Sequence, residues 1–572
     1  MLKIPYGESS FTTVIKGGYF YQDRTEYIRT LEETVAKYIY YLRPRRFGKS
    51  LFVSMLHHYY GLEHQPEFET LFSQLAIGKK PTPLANQYFV LRFEFSRIQT
   101  NTPENTFDGF LKNVKEGVAI FLNQYKKFFP VTIHSAILNQ KHPNEVLKAL
   151  FLNYTLINQK KALPKIYLLI DEYDHFANEL ISFDFDFFAK AVTENGFVRK
   201  FYESIKTATG DSIVDRLFIT GVSPITLDSM TSGFNIGTNI SLRPSFHDMM
   251  GFKQEEVRGI LKGIGIENGK LTETLKDLKA WYNGYLFTAK AKESVYNPDM
   301  VLYFAQQFQS ENYYPEELLD PNIASDYSKI RKLFKIQGRE QQHLAVLNTL
   351  TESSQVTARL TIQFSLERTF HKDDLISLLF YMGFLTIKEK ELGGFIFHFP
   401  NYVIERLYSE YFVAMLQEQK ELPIDNSDLN FAIREVAKYG NPSHLYEQVM
   451  KVVEAMSTRD SQGFNENSLK AIFVSLLQQQ QFYYVHSEYE SDRQYVDVFL
   501  ETIRGHAVKY ETAFELKYVK KGRKIKVKAE LDKAEVQLRN YMISNKFMER
   551  PSLKAFVVLV HGVTLHEREL VL

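Results

Sequence analysis

The sequence predicts an α/β protein of several domains, and three observations carry that prediction. Over the first 290 residues short apolar runs alternate with amphipathic stretches, the texture of a sheet covered by helices. Within that region a strand-like run, Tyr38 to Leu42, leads through Arg43-Pro44-Arg45-Arg46-Phe47-Gly48-Lys49-Ser50 into a helix-like stretch ending near Tyr60, the layout of a phosphate loop. Near the other end two apolar runs carry charges at chosen positions, Asp497 in the first and Glu515 and Lys517 in the second. A chain of 572 residues has room for about three or four domains.

Taken in order, strands are expected at Tyr38–Leu42, Tyr88–Phe95, Ile166–Ile170 and Leu217–Thr220, with a mainly helical insertion over 104–160. From about 290 the texture turns helical, including Asp373–Met382. Phe384–Ile387 and Phe395–Phe397 then suggest a small hairpin, as in a winged-helix-like lid. The polar stretch Glu418–Asp428, with its proline, reads as a linker. Beyond it come two or three helices, strands at Tyr495–Leu500 and Ala513–Leu516, a helix from about Glu530 to Ser544 and a final strand, Lys554–Val560. The expected domains are 1–290, 291–420 and 421–572. Gln478 to Gln481 is too short for low complexity and reads as a helix end.

Composition narrows the function classes. Apolar residues make up 44% and charged residues 24%, as in ordinary globular proteins, and an aromatic share of 14% supplies ample core. A net charge of +1 means that affinity for nucleic acid must come from local patches. The absence of cysteine excludes disulfides, zinc–thiolate sites and cysteine nucleophiles, and fits a reducing compartment. The first residues lack the apolar core of a signal peptide, and runs such as Ala555–Val560 fall far short of the roughly 18 residues a membrane helix needs. The expectation is a soluble, cytoplasmic protein that meets no membrane.

A phosphate loop works because backbone N–H groups and a helix N-terminus converge on phosphate while a lysine neutralises it. Gly48, Lys49 and Ser50 supply the end of the G-x-x-x-x-G-K-[ST] pattern, but Arg43 stands where its first glycine belongs. Such a half-motif also describes a surface turn capped by serine. Ile166–Glu172 adds an apolar strand ending in two carboxylates, in the order a P-loop ATPase requires: Asp171 to hold magnesium, Glu172 to polarise water. Thr220 or Ser223, after a further strand, could sense the terminal phosphate. The candidate nucleotide site is thus Arg46, Gly48, Lys49, Ser50, Asp171 and Thr220, with Glu172 catalytic and Ser50 and Asp171 on the metal.

The second constellation suits metal-dependent phosphodiester hydrolysis, which needs hard oxygen ligands and a cation near the attacking water. On a strand Glu515 and Lys517 project together while Phe514 and Leu516 pack behind. Charges between apolar neighbours are costly unless partnered, although a solvated edge strand with Glu–Lys alternation reads the same way. Asp497 and Glu515 would ligate Mg2+ or Mn2+, and Lys517 would orient the nucleophile and stabilise developing charge.

R-P-R-R-F-G-K-S-L followed by I-D-E-Y-D resembles a family of bacterial AAA-ATPase-like proteins that carry a C-terminal PD-(D/E)xK nuclease domain. In that family the first P-loop glycine is likewise replaced. Ser232-Gly233-Phe234-Asn235, Gly251 to Glu256, Trp281-Tyr282-Asn283-Gly284-Tyr285, Tyr296-Asn297-Pro298 and Asp320 to Tyr327 extend the likeness over nearly the whole chain. The resemblance implies an AAA-like P-loop ATPase, a helical, winged-helix-like middle region and a restriction-endonuclease-like α/β domain. It implies ATP and Mg2+ (or Mn2+) as cofactors, and supporting roles for Glu488 and for Gln537, whose Q-x-x-x-Y element continues to Tyr541. It also leaves a homo-oligomer open, because AAA-like ATPases often form rings. Asp492 and Gln494 depart from the glycines frequent in relatives, so the turn before Asp497 is expected to differ. Trp281, the only tryptophan, reads as a packing residue.

Lys520, Lys521, Arg523, Lys524, Lys526 and Lys528 follow the Glu515–Lys517 strand with no acid among them. They read as a phosphate-contacting loop or hairpin, or as a plain solvated one. The favoured function is an ATPase that controls a nuclease acting on nucleic acid, DNA ahead of RNA, with host defence as an analogy. Two alternatives stay open: a nucleotide-dependent regulatory or scaffold protein that binds nucleic acid without cutting it, and a motor that remodels DNA or a partner.

Overall fold

The structure is a computed structural model and describes the chain apart from residues 1, 177–179, 181–184, 193–195, 225–234, 316, 324–339, 365–370, 421–423, 458–463, 481, 492–493, 505, 544 and 572. It is a mixed α/β protein with two compact units. One comprises Met1–Ser310, Lys332–His343 and Thr357–Asn401; the other comprises Glu311–Arg331, Leu344–Val356 and Tyr402–Leu572.

The first unit is built on a parallel sheet of β1 (Tyr38–Leu42), β2 (Phe89–Glu94), β3 (Ile166–Asp171), β4 (Val214–Gly221) and the two-residue β5 (Thr238–Asn239), in the order β2-β3-β4-β1-β5. The near-continuous apolar runs follow from this position: β3 is buried at every residue, as in a parallel sheet covered on both faces. Register aligns Leu42 with Gly221, and Ile170 with Ile219. The carboxyl ends of β1, β3 and β4 therefore meet at one edge, where open α/β sheets bind ligands. The insertion between β2 and β3 is helical as expected, with long helices Pro103–Gln124 and Pro143–Asn158. Further along come a short strand β6 (Gln355–Ala358), a helix Lys372–Tyr381 and the antiparallel hairpin of β7 (Thr386–Glu391) and β8 (Gly394–His398).

The expected linker, Glu418–Asp428, is helical at both ends. The helix Tyr402–Lys420 runs into it and another, Asn426–Tyr439, begins inside it with Asp425 capping the N–H of Ser427. Apolar residues at helical spacing before Glu418 carry the first helix onward, and Asn426 to Asp428, the first turn of the next helix, are exposed.

In the second unit β9 (Tyr483–Ser491), β10 (Gln494–Thr502), β11 (Glu511–Val519), β12 (Leu553–His561) and β13 (Thr564–Leu570) form one sheet in the order β13-β12-β11-β10-β9. Only the β11–β12 pair is parallel, and the helix Val527–Met542 makes that crossover. Leu531, Ala534, Leu538, Tyr541 and Met542 recur at helical spacing and pack on Phe499, Ala513, Ala555, Val557 and Leu559. On the other face Phe514 meets Tyr446, Phe473 and Phe556. The helix Glu466–Leu477 ends at Gln478, as the glutamine run suggests.

Candidate functional site

The phosphate loop joins β1 to the helix Lys49–Tyr60. Gly48 caps that helix in the left-handed region at φ 85°, and Arg46 lies there too at φ 67°. The unusual backbone thus falls at 46 and 48 rather than at 43, so Arg43 needs no glycine-like conformation. Its guanidinium is buried and donates to the carbonyls of Leu42, Ser241, Phe246 and His247 at 2.8–3.2 Å, with the rings of Tyr41 and Phe287 over its faces. Arg43 ties the loop's first residue to the segment after β5. It is a buried structural cation, its guanidinium turned to backbone carbonyls.

Lys49 is buried and donates to the carbonyls of Arg43 and Pro44 at 3.1 and 2.9 Å, which folds the loop around its ammonium. Burial pulls its pKa down, against the opposing pull of Glu172, Asp171 and Asp174. Asp171 ends β3 fully buried, and neither carboxylate oxygen has a hydrogen-bond partner of normal geometry. Burial pushes its pKa up to about 6, moderated by the nearby Ser50 hydroxyl and by Arg92, whose guanidinium stands 4.0 Å away. A buried carboxylate with two orphan oxygens beside a loop serine fits a hydrated divalent cation. Glu172 holds φ 51°, half-exposed, with the His175 ring 3.5 Å from its carboxylate. Its strained conformation is fixed by the next residue, since Tyr173 N–H donates to Thr220 and its hydroxyl to the Ser223 carbonyl.

Thr220 is buried with its hydroxyl unpaired. Ser223 is occupied: its N–H and hydroxyl both bond Asp174, as does the N–H of Val222. Arg46 lies 3.1 Å from Asp299 and shares its charge with that residue. The sequence motif I-D-E-Y-D contained Asp174, yet its spacing gave no hint that this aspartate secures the β4 end. Arg92, on β2, was missed as well, because only the parallel pairing of Glu94 with Asp171 brings β2 to this edge.

In the second unit β10 pairs with β9 so that Val498 faces Ser487 and Val496 faces Tyr489, which sets Glu488 against Asp497. The β10–β11 register, Val498 to Phe514, sets Asp497 against Glu515 when continued one step. Three carboxylates thus share one row across three strands. Hydrogen bonding breaks along that row: Glu488 kinks β9 at φ 55°, and Asp497 accepts the Leu516 N–H at 2.8 Å through its side chain. Lys517 lies 2.8 Å from Glu515, 3.4 Å from Glu466 and 4.0 Å from Asp497. Lys470, itself buried, reaches Glu488 at 2.6 Å.

Glu466, Glu488, Asp497, Glu515 and Lys517 line an open cavity of about 580 Å3, flanked by Gln537, Asn540 and Tyr541 of the crossover helix. Gln537 donates to the Tyr541 hydroxyl one helical turn on. Glu515 is 1% exposed and its Oε2 has no partner. Burial, then the charge of Asp497, pushes its pKa up to about 7, while burial also raises that of Asp497. For Lys517 burial acts downward, but the Glu515 hydrogen bond and the surrounding carboxylates outweigh it and raise its pKa. Two facing carboxylates with one orphan oxygen and a lysine alongside match the donor set a divalent cation takes.

The sequence missed Glu466. It opens the helix Glu466–Leu477 behind an Asn465 cap, where an acidic residue reads simply as a partner for the helix dipole. The six basic residues after β11 are exposed, and they form a turn and loop rather than a hairpin, with Lys526 capping the crossover helix and Lys528 already inside it. The helix starts earlier than expected because Val527 and Leu531 belong to its apolar stripe. Asp492, most of Ser232–Asn235 and the second half of Asp320–Tyr327 lie outside the described residues, and the side chain of Gln494 is likewise not described.

A parallel sheet carrying a phosphate loop, and a mixed sheet carrying an acidic-and-lysine cavity, define the class: a P-loop α/β unit and a second α/β unit with a carboxylate-lined cavity. The comparisons give the families. Residues 5–231 match the predicted AAA-ATPase family of AAA-ATPase-like proteins, and residues 464–569 match the PD-(D/E)XK nuclease superfamily. The chain therefore carries an AAA-ATPase-like domain and a PD-(D/E)XK nuclease superfamily domain. It is 27% identical over 316 residues to an uncharacterized protein in the vnfD 5' region of Azotobacter chroococcum mcd 1, covering 53% of this chain. The chain spans about half the length of that relative, 52%. Among the described residues no helix is long and apolar enough to cross a membrane.

Proposed function

We propose that this protein is an ATP-controlled nuclease. The observation that carries the reading is the acidic cavity of the second unit, where Asp497, Glu515 and Lys517 converge and Glu515 keeps an unsatisfied buried oxygen. Asp497 and Glu515 would hold Mg2+ or Mn2+, which when bound supplies charge neutralisation and an activated water. Lys517, held by Glu515, is placed to orient the nucleophile and to stabilise charge growing on the scissile phosphate. Gln537, on the cavity wall, supports the site, and Glu488 extends the row of carboxylates. DNA is the preferred substrate, with the exposed basic loop from Lys520 to Lys528 contacting phosphates along it.

In the first unit Gly48, Lys49 and Ser50 would cradle the phosphates of ATP, with Ser50 and Asp171 on its magnesium and Glu172 positioning water. On binding, the Lys49 ammonium exchanges two loop carbonyls for phosphate oxygens. Thr220, its hydroxyl buried and free of partners, is suited to report the terminal phosphate. Nucleotide state would then govern cleavage, as in a host-defence enzyme held in check until its signal arrives. The deciding experiment incubates the protein with single- and double-stranded DNA and RNA, with Mg2+ or Mn2+, with and without ATP, beside an Asp497→Ala control. Metal-dependent cleavage that persists unchanged in the control would refute the site.

A further inference from the structure

At the far end of the phosphate-loop helix three potential ligands stand together outside both sites. His57, from the last turn of Lys49–Tyr60, lies 3.0 Å through Nε2 from Glu63 Oε1, and His64 Nε2 lies 3.5 Å from the same oxygen. All three ligand atoms fall within 4.8 Å of one another. A tetrahedral zinc ion with bonds of about 2.0–2.2 Å spaces its ligand atoms about 3.3–3.6 Å apart, close to these separations.

His64 supplies the physical reason. Its Nδ1 stands 3.3 Å from Glu67 Oε2 while its buried Nε2, without a hydrogen-bond partner, faces Glu63. A neutral imidazole carries one N–H, so in either tautomer one lone pair points at a carboxylate. A cation at Nε2 removes the conflict and leaves Nδ1–H donating to Glu67, the carboxylate–histidine–metal arrangement. Glu67 is itself held by Lys16, and Glu63 by Gln124 and Tyr125, so both carboxylates are already positioned. His58, beside them, is committed to the Ser54 carbonyl and Thr12 and is not a ligand.

We infer that His57, Glu63 and His64 form a zinc-class transition-metal site that fastens the end of the phosphate-loop helix to the helix Pro103–Gln124. The site uses imidazole and carboxylate donors, the set open to a chain without cysteine.

The test uses the full-length chain, free of any histidine tag and carrying Asp497→Ala and Glu515→Ala so that the cavity of the second unit takes no metal. After chelator treatment it is titrated with Zn2+ against a chromophoric competitor, and with Co2+ followed in the visible. The expected result is one tight equivalent per chain, with the intense bands of four-coordinate Co2+. Adding His57→Ala and His64→Ala should abolish that equivalent. Glu67→Gln, which keeps every ligand and removes only the outer carboxylate, should weaken it by about 10–100-fold. No tight equivalent in the starting protein, or an affinity unchanged by Glu67→Gln or by the double substitution, overturns the site.

Discussion

Arg43 occupies the first glycine position of a phosphate-loop pattern, yet its side chain turns inward to four carbonyls and two rings. Arg43→Gly, which restores the usual motif letter, should therefore destabilise the first unit by roughly 3 kcal/mol or more, since it strands buried acceptors. Thermal melts check this, and equal midpoints would contradict it. Lys49→Ala should weaken ATP binding at least tenfold in calorimetry, whereas Glu172→Gln should keep binding and slow turnover.

Glu515 makes a pH prediction at the same scale. Its folded pKa, about 7, lies above the ordinary glutamate range, so the folded state holds a proton the unfolded state has lost between about pH 4.5 and 7. Stability should fall as pH rises through that window in metal-free protein, and Glu515→Gln should flatten the fall. Added Mg2+ or Mn2+ should raise the melting temperature more at pH 7.5 than at pH 5.5. The opposite ordering would show that the carboxylates do not take the cation. Lys517→Ala should retain metal binding and lose cleavage.

At the scale of elements, the loop between β11 and the crossover helix decides between a nucleic-acid contact and a solvated surface. Replacing Lys521, Arg523, Lys524 and Lys526 together should weaken binding to all sequences alike. Each lost phosphate contact should flatten the slope of log affinity against log salt by about 0.7 to 0.9. Anisotropy across a salt series in Asp497→Ala protein measures it, and the fold should survive because exposed charges add little stability. Here the sequence was informative about content and less so about form. Charge and position along the chain are sequence properties, but whether Val527 closes a hairpin or opens a helix depends on the apolar face offered by Ala555, Val557 and Leu559. The same holds for Glu418–Asp428, where polar letters look alike in a linker and on an exposed helical turn.

Across the whole molecule the two units have separate cores and separate chemistry, so their losses should be separable. Asp497→Ala should end cleavage and leave ATP turnover within about twofold, since Asp497 is no part of the nucleotide site. Lys49→Ala should remove any effect of ATP on cleavage while leaving the Asp497 cavity able to bind Mn2+. Cleavage rates that respond to ATP equally in Lys49→Ala and parent protein would sever the proposed control.

By itself the sequence determined β1 to β4 of the first sheet and β10 to β12 of the second, the loop Gly48–Ser50, the strand end at Asp171 and the pair Glu515 and Lys517, while β5, β9 and β13 escaped it. These are local: a period of two, an apolar run or a short motif fixes them, and each needs only a few neighbours in the chain. Tertiary structure alone decided the partners. Strand register set Glu488, Asp497 and Glu515 in one row, a helix start brought Glu466 to Lys517, and parallel pairing brought Arg92 to Asp171. It also turned Arg43 into a buried brace and gathered His57, Glu63 and His64 at a helix end. Charge, burial and geometry at a site are sums over residues far apart in sequence, and only the folded chain performs that sum.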